Sequence, residues 1–152
     1  MNQFKKKLLS LATGELAAVI VFIFAYRSLN LGRASFIAFS FLIFILVQGS
    51  LYWFYRYQLI VTQKKVHSTV IQPLRILKQL NLIALLGVMV VIPMINTNIK
   101  DLLFAVAIFL FGVIEYINYY WYRLSYGKSG FNIKILWNTG LKKSSINKLI
   151  SE

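Results

Sequence analysis

The sequence predicts an all-α, polytopic membrane protein, a four-transmembrane-helix bundle, and three observations predict it. Hydrophobic residues make up 59% of the 152-residue chain and charged residues 14%. That is more apolar surface than a soluble domain of this size can hide, because small domains keep a large share of their surface exposed. The apolar residues also gather into four stretches close to the ~20 residues needed to cross a hydrocarbon layer of about 30 Å. Finally, the charge is lopsided: 17 Lys and Arg against 4 Asp and Glu, net +13, as expected where cations are kept on one side of a membrane. The same composition excludes disorder. A cysteine count of zero excludes disulfides, thiolate metal sites and thiol catalysis.

The first span is read over about 8–26, broken only by Glu15. Lys5, Lys6 and Lys7 precede it as they would a signal peptide, but the exit at Tyr26-Arg27 has no small-x-small cleavage pattern, so a retained span is expected. The second span, about 34–55, carries no formal charge. The third, about 76–95, reaches full length if Ile76 and Leu77 enter the layer while Arg75 and Lys78 extend outward. Pro73 suits the first turn of its helix, and Pro93 marks its end or a kink. The fourth, about 102–122, contains Glu115. Apolar residues occupy every face of these segments, unlike a surface helix. Residues 1–126 thus form the membrane domain, and 127–152 a basic amphipathic tail.

Lys and Arg set the direction. Fourteen lie in the N-terminal arm, the segment between spans two and three, and the tail, against three in the other two connections. Both termini and the middle loop are therefore expected in the cytoplasm of a cell-membrane protein. Lys5, Lys6, Lys7, Lys64, Lys65, Lys142 and Lys143 are the expected contacts to an anionic inner leaflet. In the tail, Phe131-Ile133-Ile135-Leu136-Trp137 and Ile146-Leu149-Ile150 sit among lysines, and Ser144 or Ser145 is placed to cap a short last helix. Such a segment is expected to lie on the leaflet or to bind a partner. With the charge explained this way, no nucleic-acid partner is expected.

The aromatic residues crowd the same side. Tyr52, Trp53, Tyr55 and Tyr57 end span two; Tyr116, Tyr119, Tyr120, Trp121, Tyr122 and Tyr126 end span four. Amphipathic rings prefer the interfacial level, so a belt is the plain expectation. A cavity for a lipid or amphipathic ligand is the sharper one. A shift of 67 residues also places Ala38, Phe44, Tyr52, Tyr55 and Arg56 on Ala105, Phe111, Tyr119, Tyr122 and Arg123, which allows two tandem helical hairpins as parallel repeats.

Polar groups inside a span are candidates for function. Glu15, Gln48 and Glu115 each lie roughly 10 Å inside the same leaflet at 1.5 Å per residue, with Asn118 one turn nearer the cytoplasm. They form a polar layer with two readings. One is interhelical glue, aided by close approach at Gly14-xxx-Ala18. The other is a proton- or cation-coupled site or a headgroup pocket. His67 is the single histidine and makes no metal site. No phosphate-binding loop, nucleophile elbow or metalloprotease motif is present, so neither enzyme activity, metal nor cofactor is expected.

The run Glu115-Tyr-Ile-Asn-Tyr-Tyr-Trp-Tyr-Arg-Leu-Ser-Tyr126, with Tyr52-Trp-Phe-Tyr-Arg56 before it and Leu141-Lys-Lys-Ser-Ser after, resembles a group of small four-span proteins of Gram-positive bacteria, sometimes labelled general stress proteins. The resemblance implies a membrane location and no chemistry. Gly14-Glu15 is similar to the first span of small multidrug exporters, but this chain is longer and ends in a basic tail. The leading expectation is a non-enzymatic protein that binds lipid or a membrane-protein partner, a second copy included. The alternative is a small proton-coupled transporter using the intramembrane glutamates.

Overall fold

A computed structural model describes residues 3–64, 66–95, 98–124 and 140–151. Four long helices follow one another: α1 (Gln3–Leu29), α2 (Arg33–Val61), α3 (Ser68–Ile95) and α4 (Ile99–Tyr120), with a short α5 (Ser145–Ser151) after them. All four long helices have the length and apolarity to cross a membrane. Each contains its predicted span, except that α4 stops at Tyr120 rather than 122. The extra turns lie mostly at the ends that carry Lys and Arg, where the chain leaves the apolar layer but the backbone still gains by helical bonding.

The helix α2 is the axis of the bundle. In its most apolar stretch 56% is buried, against 17%, 11% and 22% in α1, α3 and α4, so the other three present most of their apolar surface outward, as lipid-solvated helices do. Packed on α2 are α1 along one side and α4 along another; α3 lies across α2 and α4. The two hairpins therefore pack unequally, α1 on α2 alone and α3 on two helices. A side-chain link between α1 and α4 comes from Phe22 and Phe111, whose rings are 5.6 Å apart.

Close approach uses glycines other than the predicted one. Gly14 is exposed, with open space where a side chain would stand. A side chain at Gly49 would instead strike the Tyr119 ring and hydroxyl, and one at Gly112 would meet Phe41 at 3.1 Å. Pro73 falls in the second turn of α3 rather than the first, and Pro93 in the last turn, so it marks the helix end.

The bundle has two unlike ends. At the turn end, α1 closes on Asn30 in the left-handed conformation (φ 45°), and α2 begins at Gly32, which offers no side-chain cap. Asp101 of α4 supplies one. Its buried carboxylate accepts from the backbone N–H of Gly32 (3.0 Å), Ala34 (3.0 Å) and Ser35 (3.1 Å), and from the Ser35 hydroxyl. An anion at a helix N-terminus satisfies orphan donors and meets the positive end of the dipole. Asn98 caps α4 itself, accepting from Lys100 N at 2.6 Å.

At the tail end, the chain after α4 turns back. Tyr122 and Lys143 form a bridge, Arg123 N donates to Lys142 O (2.9 Å), and Ser144 N donates to Trp121 O (3.0 Å). Ser144 caps α5, its hydroxyl oxygen accepting from Asn147 N at 3.0 Å. Ile146 is buried in the core cluster with Tyr52, Leu74 and Tyr120, and Leu149 and Ile150 pack against it. The apolar side of α5 thus faces α3 and α4, not an open leaflet. The expected cluster at 131–137 lies outside the described residues.

Candidate functional site

The residues of the expected polar layer meet at one level of the bundle but divide into two groups. On one side, Gln48 of α2 meets Asn81 of α3 and Tyr120 of α4. Gln48 Nε2 donates to Asn81 Oδ1 (3.2 Å), Asn81 Nδ2 donates to Gln48 Oε1 (2.7 Å), and the Tyr120 hydroxyl donates to the same oxygen at 2.6 Å. Asn81 and Tyr120 are almost wholly buried. Both amides are used in a reciprocal pair and one carbonyl accepts twice, which is how a buried polar network becomes stabilising. This half is glue.

On the other side, Glu15 of α1 and Glu115 of α4 face each other across Tyr119 of α4. Both carboxylates are half-buried. Asn118 belongs to this side: its Nδ2 lies 3.4 Å from Glu115 Oε2, and its Oδ1 accepts from Leu124 N at 3.0 Å, capping the end of α4. The opposite wall is Gly49 of α2, whose missing side chain admits the Tyr119 ring. Tyr119 is 4% exposed, and among the described residues its hydroxyl has no hydrogen-bond partner. A buried hydroxyl left so costs about 1–3 kcal/mol. The phenol faces two carboxylates without a well-formed bond to either.

The helix directions place an aromatic pair on the turn-end side of this acidic cluster. Phe22 lies two turns from Glu15, and Phe111 one turn from Glu115, both toward the turn end. The core cluster of Val19, Leu42 and Leu46 lies on the same side. Two carboxylates side by side in an apolar layer are strongly unfavourable while both carry charge.

The expected aromatic belt is split by the same packing. Tyr52, Tyr119 and Tyr120 point into the core, Trp53 and Tyr55 are half-buried, and Trp121 and Tyr122 remain outward. The Tyr52 hydroxyl is hydrogen-bonded to Ser145 of the docked α5, and the Tyr55 hydroxyl accepts from His67 N at 3.5 Å. Tyr52, expected to line an interface, therefore fixes helices together, because the docked α5 covers it.

Of the expected lysines, Lys6, Lys7, Lys64, Lys142 and Lys143 are exposed and Lys5 is half-buried; Lys65 lies outside the described residues. His67 is exposed and bonded to Thr69 Oγ1 at 2.7 Å. Sequence reasoning missed Asn81 and Asp101. The signal for Asn81 was an amide within an otherwise apolar span; for Asp101 it was the one acid near the turn end, opposite a glycine that cannot cap. Among the described residues no group of three or more His, Cys, Asp or Glu is placed to hold a metal. Compared with family models, curated proteins and solved structures, the chain matches none.

Proposed function

We propose that this chain is a non-enzymatic protein of the cell membrane, both termini cytoplasmic, whose Glu15–Glu115 pair takes up and releases a proton as the coupling site of a small transporter. One observation carries the reading: the two intramembrane carboxylates converge on one buried tyrosine hydroxyl, which is close enough to interact with both yet makes a hydrogen bond of good geometry to neither. Had the pair been glue, it would be expected to satisfy its neighbours as Gln48 and Asn81 do. Proton exchange requires instead that the charged and neutral forms of a carboxyl be close in free energy, which a well-bonded structural carboxylate is not. Access from the cytoplasm is favoured if the tail end is inside, because the Phe22–Phe111 ring pair lies on the other side.

Infrared difference spectroscopy on the protein in lipid tests this. A protonated-carboxyl band is expected to appear and disappear as the pH is varied, to change in both Glu15→Gln and Glu115→Gln, and to persist in Gln48→Leu. In proteoliposomes, pH-driven uptake of tetraphenylphosphonium, as a probe cation, is expected to be lost in the same two variants. A band unchanged in both glutamine variants, or no titrating carboxyl, would overturn the proposal. The second reading, lipid binding at the basic face, rests on a separate observation.

A further inference from the structure

A cleft of about 300 Å³ opens on the outer face of α3 at the tail end, lined by Arg75, Lys78, Leu82, Tyr116, Trp121 and Ile150 among others. Its cations are held in place by neutral groups. The Arg75 guanidinium donates to Ile150 O (3.1 Å), and Lys78 Nζ donates to Asn147 Oδ1 (3.1 Å) while standing 3.9 Å over the Trp121 ring. Lys143 is near enough to act on the charge of Lys78. The chain has 4 acids. Glu15 and Glu115 face each other across Tyr119, Asp101 caps α2 at the far end, and Glu152 lies outside the described residues. Among the described residues the cleft is therefore lined by two cations, Arg75 and Lys78, and by no carboxylate.

The helix register gives the cleft a direction. Arg75, Lys78, Leu82, Leu86 and Met89 follow one another at intervals of three or four residues and so share a face. Leu82, Leu86 and Met89 are 42%, 54% and 60% exposed. A cationic step is thus continued by an apolar ridge running into the membrane layer. A free anion would use only the first part of this surface, and an acidic peptide would leave the ridge uncovered. A phospholipid matches both parts, its phosphate over the cations and an acyl chain along the leucines. Arg suits phosphate through its fork of donors, of which one bond is already used.

We propose that this cleft binds one anionic phospholipid, its phosphate between Arg75 and Lys78 and one acyl chain along Leu82, Leu86 and Met89. The site is distinct from the surface lysines and independent of the glutamate pair. The bound lipid would brace the docked α5, since both cations also hold that helix.

The test uses the full chain in mixed micelles. Added phosphatidylglycerol is expected to raise the unfolding temperature more than phosphatidylcholine does. At about 1 kcal/mol per near-surface cation, removing one charge should weaken binding about fivefold, and Arg75→Gln with Lys78→Gln together about 25-fold. Arg27→Gln with Lys100→Gln, two exposed cations at the far end of the bundle, should leave the preference intact. Equal stabilisation by inorganic phosphate would make this a free-anion site and overturn the proposal, as would equal effects of the two lipids or a preference retained in the double variant. Should that variant not fold, the native chain still decides. Brominated phosphatidylglycerol is expected to quench Trp121 more than brominated phosphatidylcholine, a difference absent from Trp121→Phe; equal quenching overturns the proposal.

Discussion

Two adjacent tyrosines divide the polar layer. Tyr120 donates to Gln48 at 2.6 Å inside a network where both amides are used. Tyr119, one position earlier and just as buried, has no hydrogen-bond partner among the described residues and looks at two acids. The residue types and depths are alike, and the difference lies in which helices meet. The Tyr120 side is enclosed by α2, α3 and α4, so an amide on each neighbour can be placed to complement it. The Tyr119 side lies where α1 and α4 both approach α2, joined to each other through Phe22 and Phe111 and by no close backbone packing. Complementary groups rigidify the first half, while the second keeps two ionisable groups under weak constraint.

Asp101 shows what a satisfied carboxylate looks like in this chain and gives the largest expected effect. Replacing it with Ala would leave three backbone donors and the Ser35 hydroxyl without their acceptor. At about 1–3 kcal/mol for each buried group left unpaired, the loss should be at least about 3 kcal/mol. Thermal or denaturant unfolding in a fixed detergent would show it, with Asp101→Asn recovering part. If Asp101→Ala proved no worse than Glu15→Gln, an acid held by four donors and one held loosely would not differ and the contrast would fail.

A smaller effect is expected in the amide network, where it can be sharpened by a double-mutant cycle. Asn81→Leu leaves the Gln48 amide without its reciprocal partner and should cost about 2 kcal/mol, as should Gln48→Leu. The double change removes both members and should cost clearly less than the sum, because no amide is left orphaned. Additive costs would mean that the two residues act separately, contrary to the pair of bonds joining them.

These contrasts also mark what the sequence could tell. Four long apolar helices and the common level of Glu15, Gln48 and Glu115 along them were legible because they depend on apolar run length and on 1.5 Å per residue. The rotation of each helix was not. Gln48 shares a depth with the glutamates but turns toward α3, since α2 is the axis and presents side chains on all sides. The small-residue seam was expected at Gly14 and found at Gly49 and Gly112, because close approach depends on which ring arrives opposite. The docking of α5 was hidden for a like reason. Ile146, Leu149 and Ile150 fit a membrane surface or a protein groove equally well by spacing alone, and only the bonds of Ser144, Ser145 and Asn147 to the bundle separate the two.

The smallest effect separates the two halves most directly, because it uses one atom in each. Tyr120→Phe removes a donor from Gln48 Oε1, which still accepts from Asn81, so the expected loss is only about 1 kcal/mol. Tyr119→Phe removes a hydroxyl that has no hydrogen-bond partner among the described residues, while its ring keeps the contact with Gly49. Deleting such a group relieves a desolvation cost, and the variant should match the parent or gain up to about 1 kcal/mol. Neighbouring substitutions of identical chemistry would then differ in sign, which no argument from burial or ring packing produces. A loss in Tyr119→Phe equal to that in Tyr120→Phe would mean that the Tyr119 hydroxyl is firmly bonded to a glutamate. The acidic half would then be glue like its neighbour, and the coupling role assigned to Glu15 and Glu115 would lose its support.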